Sequence, residues 1–168
     1  SEMTQEYGAN MSTSSNTDLE MLGTLPSAAI LDVLDGMGYV NVQMKGISSL
    51  IPGQRMVGRA VTMRFVPSRP DFRAKVIGGP NSAEYLAMEL CKEGDVLVMD
   101  AMGMKEPSAI GGIKLLRLKQ RKGAGVVTDA SVRDLESLKT YGLGIFAAGE
   151  TNMTMPSHML PYEANVGI

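Results

Sequence analysis

An α/β domain with parallel strand pairs is the fold class that the sequence predicts, and two observations carry it. Apolar runs of strand length alternate with amphipathic segments of helix length from residue 81 onward. Two of those runs, "DVLVMDA" and "AGVVTDA", end near an aspartate, Asp100 and Asp129. The carboxyl ends of parallel strands are where open α/β sheets bind ligands. A chain of 168 residues suits a single domain with room for a core.

The elements follow in order. Residues 1–17, rich in Ser, Thr and Asn, read as a flexible N-terminal tail, and residues 18–168 as the domain. A helix is expected over 27–37: Ala29, Ile30, Val33 and Leu34 share a face, and Gly36 and Gly38 end it. Residues 56–66 alternate as a strand, and 64–73 form a polar loop containing prolines. Asn81 and Glu84 make an N-x-x-E capping pattern for a helix with Ala83, Leu86, Ala87 and Leu90 on its apolar stripe, stopped by Gly94. A strand over 95–101, a helix over 108–122, a strand over 124–130, a helix over 132–141 and a strand over 144–150 complete the alternation. "PYEANVGI" reads as a strand beginning with no closing element, so a C-terminal portion of the domain is expected beyond residue 168.

Composition excludes several classes. Hydrophobic residues are 44%, charged residues 20% and the formal charge −2, with no long basic block of the kind that binds nucleic acid. The basic run from Lys114 to Lys122 reads as a solvated helix face. Cys91, the single cysteine, reads as a small buried hydrophobe. One cysteine allows no disulfide within the chain, which fits a reducing, cytoplasmic setting. No apolar run is long enough to span a bilayer. The fourteen methionines read as core filler. "GLGIFA" has the glycine spacing of a dinucleotide loop in the wrong context, with a helix before it and a strand after it. His158 is the only histidine, so one chain cannot build a two-histidine metal site or a histidine-based triad. A metal here needs oxygen ligands, which favours Mg²⁺ or Mn²⁺.

The chemistry concentrates in "GVVTDASVRDLESL". Ser131 and Asp134 form an S-x-x-D pattern, and the bland reading is a cap on an ordinary helix. Arg133, placed in the first helical turn by this reading, opposes the helix dipole and gains nothing locally. A site that grips a carboxylate gains a permanently charged fork there, and Asp134 beside it can hold a hydrated divalent cation. In "AIGGIKLL", Gly111 and Gly112 open the preceding helix. They let backbone N–H groups approach an anion, or they serve close packing on the sheet.

Taken in order, "SAAILDVLDGMG", "GRAVTMRF", "GDVLVMDAMG", "AIGG", "GVVTDASVRD" and "PYEANVGI" resemble the RraA-like family. That family contains the regulators of ribonuclease activity A, the 4-hydroxy-4-methyl-2-oxoglutarate aldolases and related oxaloacetate decarboxylases. The resemblance implies a swivelling β/β/α domain, assembled as a homotrimer or hexamer with the active site between subunits. It implies that Arg133 binds the pyruvate portion of a keto acid, that Asp134 ligates Mg²⁺ or Mn²⁺ mainly through waters, and that the backbone of Gly111, Gly112, Ile113 and Lys114 holds the substrate carboxylate. One departure matters: an acidic residue about twenty positions ahead of the arginine, assigned to general-base chemistry in the aldolases, is here Gly112. The sequence therefore favours metal-dependent oxaloacetate decarboxylation over aldol cleavage, with a non-catalytic regulator binding a ribonuclease or other protein as the alternative. Asp100, Asp129 and Glu136 are candidate substitute bases, and Lys114 either adds positive charge for a dicarboxylate or faces solvent.

Overall fold

The computed structural model describes residues 15–168. Of the expected N-terminal tail, residues 1–14 lie outside the described residues, and Ser15 already caps a helix, α1 (Asn16–Thr24). The Ser15 hydroxyl accepts from the Asp18 N–H, and the Asp18 carboxylate accepts from the Ser15 N–H. α2 (Ser27–Gly36) matches the expected helix. Neither helix contains a buried residue.

The unit that begins at Gln43 holds two sheets. The larger has the order β1-β7-β5-β3-β2-β9, from β1 (Ser48–Ser49), β2 (Ala60–Pro67), β3 (Val96–Asp100), β5 (Gly125–Thr128), β7 (Gly144–Ala147) and β9 (Met159–Ala164). Its four central strands run parallel, and the edge strands β1 and β9 are antiparallel to their neighbours. The smaller sheet is parallel, β4 (Ser108–Ile110), β6 (Ser131–Val132) and β8 (Gly149–Glu150). The helices are α3 (Pro70–Arg73), α4 (Ala83–Leu90), α5 (Gly112–Gln120) and α6 (Leu135–Leu138). Two sheets with a helical layer agree with the β/β/α expectation.

The core forms where strand side chains alternate inward. Met63 and Phe65 of β2, Leu97 and Met99 of β3, Val126 of β5 and Ile145 of β7 are all fully or almost fully buried. Helix α4 packs on β2 and β9 and seals one end with Ala87, Met88 and Cys91. Met63, Met88, Met99 and Met159 fill this core, while Met21, Met37, Met44 and Met102 are exposed, so the packing reading holds for part of the methionine set.

Several expected elements shift. The α4 stripe is Ala83, Ala87, Met88 and Cys91; Leu86 and Leu90 point outward. Asn81 sits in a 3-10 turn, Ser82 takes the N-cap position without a side-chain bond, and Glu84 is buried in an ion pair rather than capping. The helix expected over 108–122 opens with strand β4, and the one expected over 132–141 is strand β6 followed by the single turn α6. Strands of two or three residues are too short to show a periodicity of two, so apolar pattern merges them into the neighbouring helix.

Candidate functional site

The small sheet builds the site. β4 and β6 pair in parallel with Ile110 opposite Val132, and both strands end there. The chain leaving β4 is Gly111-Gly112, the start of α5. The chain leaving β6 is Arg133-Asp134, the approach to α6. Adjacent parallel strands thus deliver the glycine pair and the Arg-Asp pair to the same edge. The Arg133 N–H donates to the Ile110 carbonyl at 3.2 Å and locks the two exits together.

Asp134 holds an unusual backbone. Its φ of 63° and ψ of 33° lie in the left-handed region, which asparagine and aspartate tolerate better than other non-glycine residues. Its Oδ2 accepts from the Gly112 N–H at 2.9 Å and lies 3.5 Å from Arg133 Nε. The aspartate therefore crosses to the start of α5, where a carboxylate is favoured by the exposed N–H groups and the dipole. Its other carboxylate oxygen accepts no hydrogen bond among the described residues, and the side chain is half exposed.

This arrangement corrects the capping-box reading. Ser131 lies within β6, and its hydroxyl donates to the Lys105 carbonyl at 2.7 Å. Asp134 itself takes the N-cap position of α6 and makes no side-chain bond to that helix. Arg133 precedes α6, so it does not oppose that helix's dipole from within.

Gly111 is there for space. A Cβ at this position would lie 2.8 Å from Arg133 Cγ, Arg133 Nε and Asp134 Oδ2, closer than van der Waals contact permits. Gly112 is different: a Cβ there would meet Asp134 and the Tyr141 hydroxyl at an ordinary 3.6 Å. The position where the aldolases carry an acid thus has room for a side chain and lacks one.

Beside these residues opens a cleft of about 700 Å³, lined by Gly111, Ile113, Lys114 and Arg133 from the predicted set. Arg73, Tyr85 and the segment 154–157 complete much of its wall. Lys114 neither stands free nor faces open solvent. Its ammonium pairs with Glu84 Oε1 at 2.5 Å, and Glu84 is 5% exposed. Glu84 Oε2 finds no partner among the described residues. Arg73 and Glu84 were not expected here: one was assigned to a polar loop, the other to a cap. No local pattern links α3, α4 and α5, so only the tertiary fold brings them together.

The substitute bases do not reach the cleft. Asp100 pairs with Arg64 Nε at 2.8 Å and accepts from the Met102 N–H. Asp129 accepts from the N–H groups of Ala101 and Gly103 at 2.6 and 2.7 Å. Both carboxylates tie down the turn after β3. Glu136 is exposed and paired with Lys139 at 2.7 Å. His158 lines a separate cavity with the segment 103–107.

No group of three or more His, Cys, Asp or Glu side chains suited to a metal occurs among the described residues. One carboxylate with an open oxygen fits a cation that keeps most of its water shell, as Mg²⁺ does, and does not fit one caged by protein ligands. No described helix is long and apolar enough to cross a membrane.

A parallel strand pair that presents an Arg-Asp dipeptide beside a glycine-opened helix defines the class. The RraA-like family profile, described as Aldolase/RraA, matches residues 27–168, and the chain belongs to that family. A Halalkalibacterium halodurans protein provisionally named a 4-hydroxy-4-methyl-2-oxoglutarate aldolase is 30% identical over 128 residues, covering 76% of this chain and 54% of that protein. Protein DlpA of Legionella pneumophila is 26% identical over 131 residues, covering 78% of this chain and 20% of DlpA. The chain thus spans about half the length of one curated relative and a fifth of the other. Among solved structures, Streptomyces coelicolor RraAS2, an unusual member of the RNase ES inhibitor RraA protein family, superposes with a TM-score of 0.81 at 26% identity, covering 92% of this chain and 74% of that one.

Proposed function

We propose that the cleft beside Arg133 and Asp134 is the active site of a divalent-metal-dependent carbon–carbon lyase that acts on pyruvate-yielding keto acids. The observation that carries this is the placement of Asp134 across the α5 start, with one carboxylate oxygen committed to Gly112 and the other open. Arg133 holds the keto acid's carboxylate through paired guanidinium N–H donors. The close approach permitted by Gly111 keeps the Arg133 side chain against the α5 start. Asp134 is the residue that would hold a hydrated Mg²⁺ or Mn²⁺, which supplies Lewis-acid stabilisation of the charge that develops on the ketone oxygen.

Oxaloacetate decarboxylation is favoured over aldol cleavage. Aldol cleavage must take a proton from a hydroxyl, and loss of a positioned base costs about 10²–10⁴-fold. Gly112 supplies no such base, and Asp100, Asp129 and Glu136 are engaged elsewhere. The test compares pyruvate release from oxaloacetate and from 4-hydroxy-4-methyl-2-oxoglutarate with Mg²⁺, after subtraction of the metal-only background. The expected result is faster decarboxylation; faster aldol cleavage refutes the preference.

The second reading is a non-catalytic regulator that binds a ribonuclease or another protein. The similarity to RraAS2 and the missing side chain at Gly112 favour it. Retention of a ribonuclease by the immobilised chain, together with no keto-acid turnover, supports that reading. A trimeric or hexameric ring with the cleft at a subunit boundary belongs to the proposal in either case.

A further inference from the structure

Three cations line the cleft, Arg73, Lys114 and Arg133, and no acidic side chain does. They are not equivalent. The Lys114 charge is answered at 2.5 Å by Glu84 behind it. Arg133 has Asp134 beside it at 3.5 Å and, in the reading above, the keto-acid carboxylate in front. Arg73 has no acidic partner among the described residues. Its Nη2 donates to two neutral acceptors, the Ser68 hydroxyl and the Pro156 carbonyl, the latter at 3.0 Å. Nε and Nη1 make no hydrogen bond among the described residues. The guanidinium is thus fixed at Nη2 and uncompensated in charge, and its Nε and Nη1 are each left to donate singly to a carboxylate. Arg69, four residues earlier on the same segment, shows the contrast: Asp71 occupies its Nε and Nη2.

We propose that Arg73 is a specificity-determining residue that binds the distal carboxylate of a dicarboxylic keto acid, while Arg133 binds the carboxylate next to the ketone. This rests on the keto-acid reading of the cleft. Anchoring by Ser68 and Pro156 lowers the ordering cost of the grip, because the side chain is already held before substrate arrives.

The test is a binding measurement, so it is readable without turnover. Calorimetry with Mg²⁺ present compares 2-oxoglutarate with 2-oxopentanoate, which has a methyl group in place of the distal carboxylate. Neither acid can undergo the proposed decarboxylation. The unmodified chain is expected to bind the diacid at least about tenfold more tightly, as a charge-assisted grip implies. Arg73→Gln should bring that ratio close to one while leaving 2-oxopentanoate affinity within about twofold, and Arg73→Lys should retain part of it. Arg69→Gln should keep the full ratio. A ratio that survives Arg73→Gln, or one lost in Lys114→Met instead, overturns the proposal and leaves the keto-acid site standing. Failure of the unmodified chain to bind either acid overturns both.

Discussion

Gly111 and Gly112 are neighbours with opposite constraints, and the difference predicts opposite outcomes. Gly111→Ala forces a Cβ to within 2.8 Å of Arg133 and Asp134 atoms, so the site must move. Keto-acid affinity should fall at least tenfold, while overpacking costs roughly 1–3 kcal/mol of stability. A thermal melt paired with a binding titration separates the two, and unchanged affinity refutes the close-approach account. Gly112→Asp places its Cβ at 3.6 Å contacts and restores an acid where the aldolases have one. The ratio of aldol cleavage to decarboxylation should rise by about 10²-fold or more, measured with the two substrates on one preparation. The residue identities at this site were largely legible in the sequence, because Arg133 and Asp134 are adjacent and the glycine pair opens a helix. The bonding was not. The sequence suggested a cap within α6, whereas Asp134 reaches the N–H of Gly112, twenty-two positions away.

Helix α4 decides two features that no motif shows. Its buried face carries Cys91, whose thiol donates to the Ala87 carbonyl and is pushed up to about 11 by burial, with the Asp95 charge adding to the shift. At pH 7–8 the native thiol stays protonated and enclosed, so iodoacetamide should label it only after unfolding. The linkage sign follows. The unfolded thiol ionises near 9, the folded one near 11, so across pH 9–11 the unfolded state loses protons first and stability falls as pH rises. A Cys91→Ala variant should lose that part of the alkaline slope, and an unchanged slope refutes the assignment. The first turn of the same helix provides Glu84 for Lys114 and Tyr85 for the cleft wall. The parallel alternation of strands and helices was legible because β3 and β5 are continuous apolar runs of useful length. β4, β6 and β8 were not, because two or three residues carry no period and their pairing is entirely between distant segments.

Across the whole molecule, the division of labour is between the two sheets. The large sheet holds most of the core, and the aspartates at its strand ends, Asp100 and Asp129, stabilise turns. The small sheet positions the candidate site at the ends of β4 and β6. The sequence pointed to the strand ends at Asp100 and Asp129, whereas the candidate cleft lies at the ends of β4 and β6, since sequence alone cannot tell which strands share a sheet. Membership of the RraA-like family leaves both a lyase and a regulator open, and the metal decides between them. The most direct test is pyruvate release from oxaloacetate by the unmodified chain and by Asp134→Asn, each with Mg²⁺ and with EDTA. Asparagine can still accept from the Gly112 N–H and tolerate the left-handed backbone, so folding should be preserved. The account predicts turnover above the metal-only background in the unmodified chain, abolished by EDTA and by Asp134→Asn. Turnover that persists in a folded Asp134→Asn variant, or none above background in the unmodified chain, would contradict it.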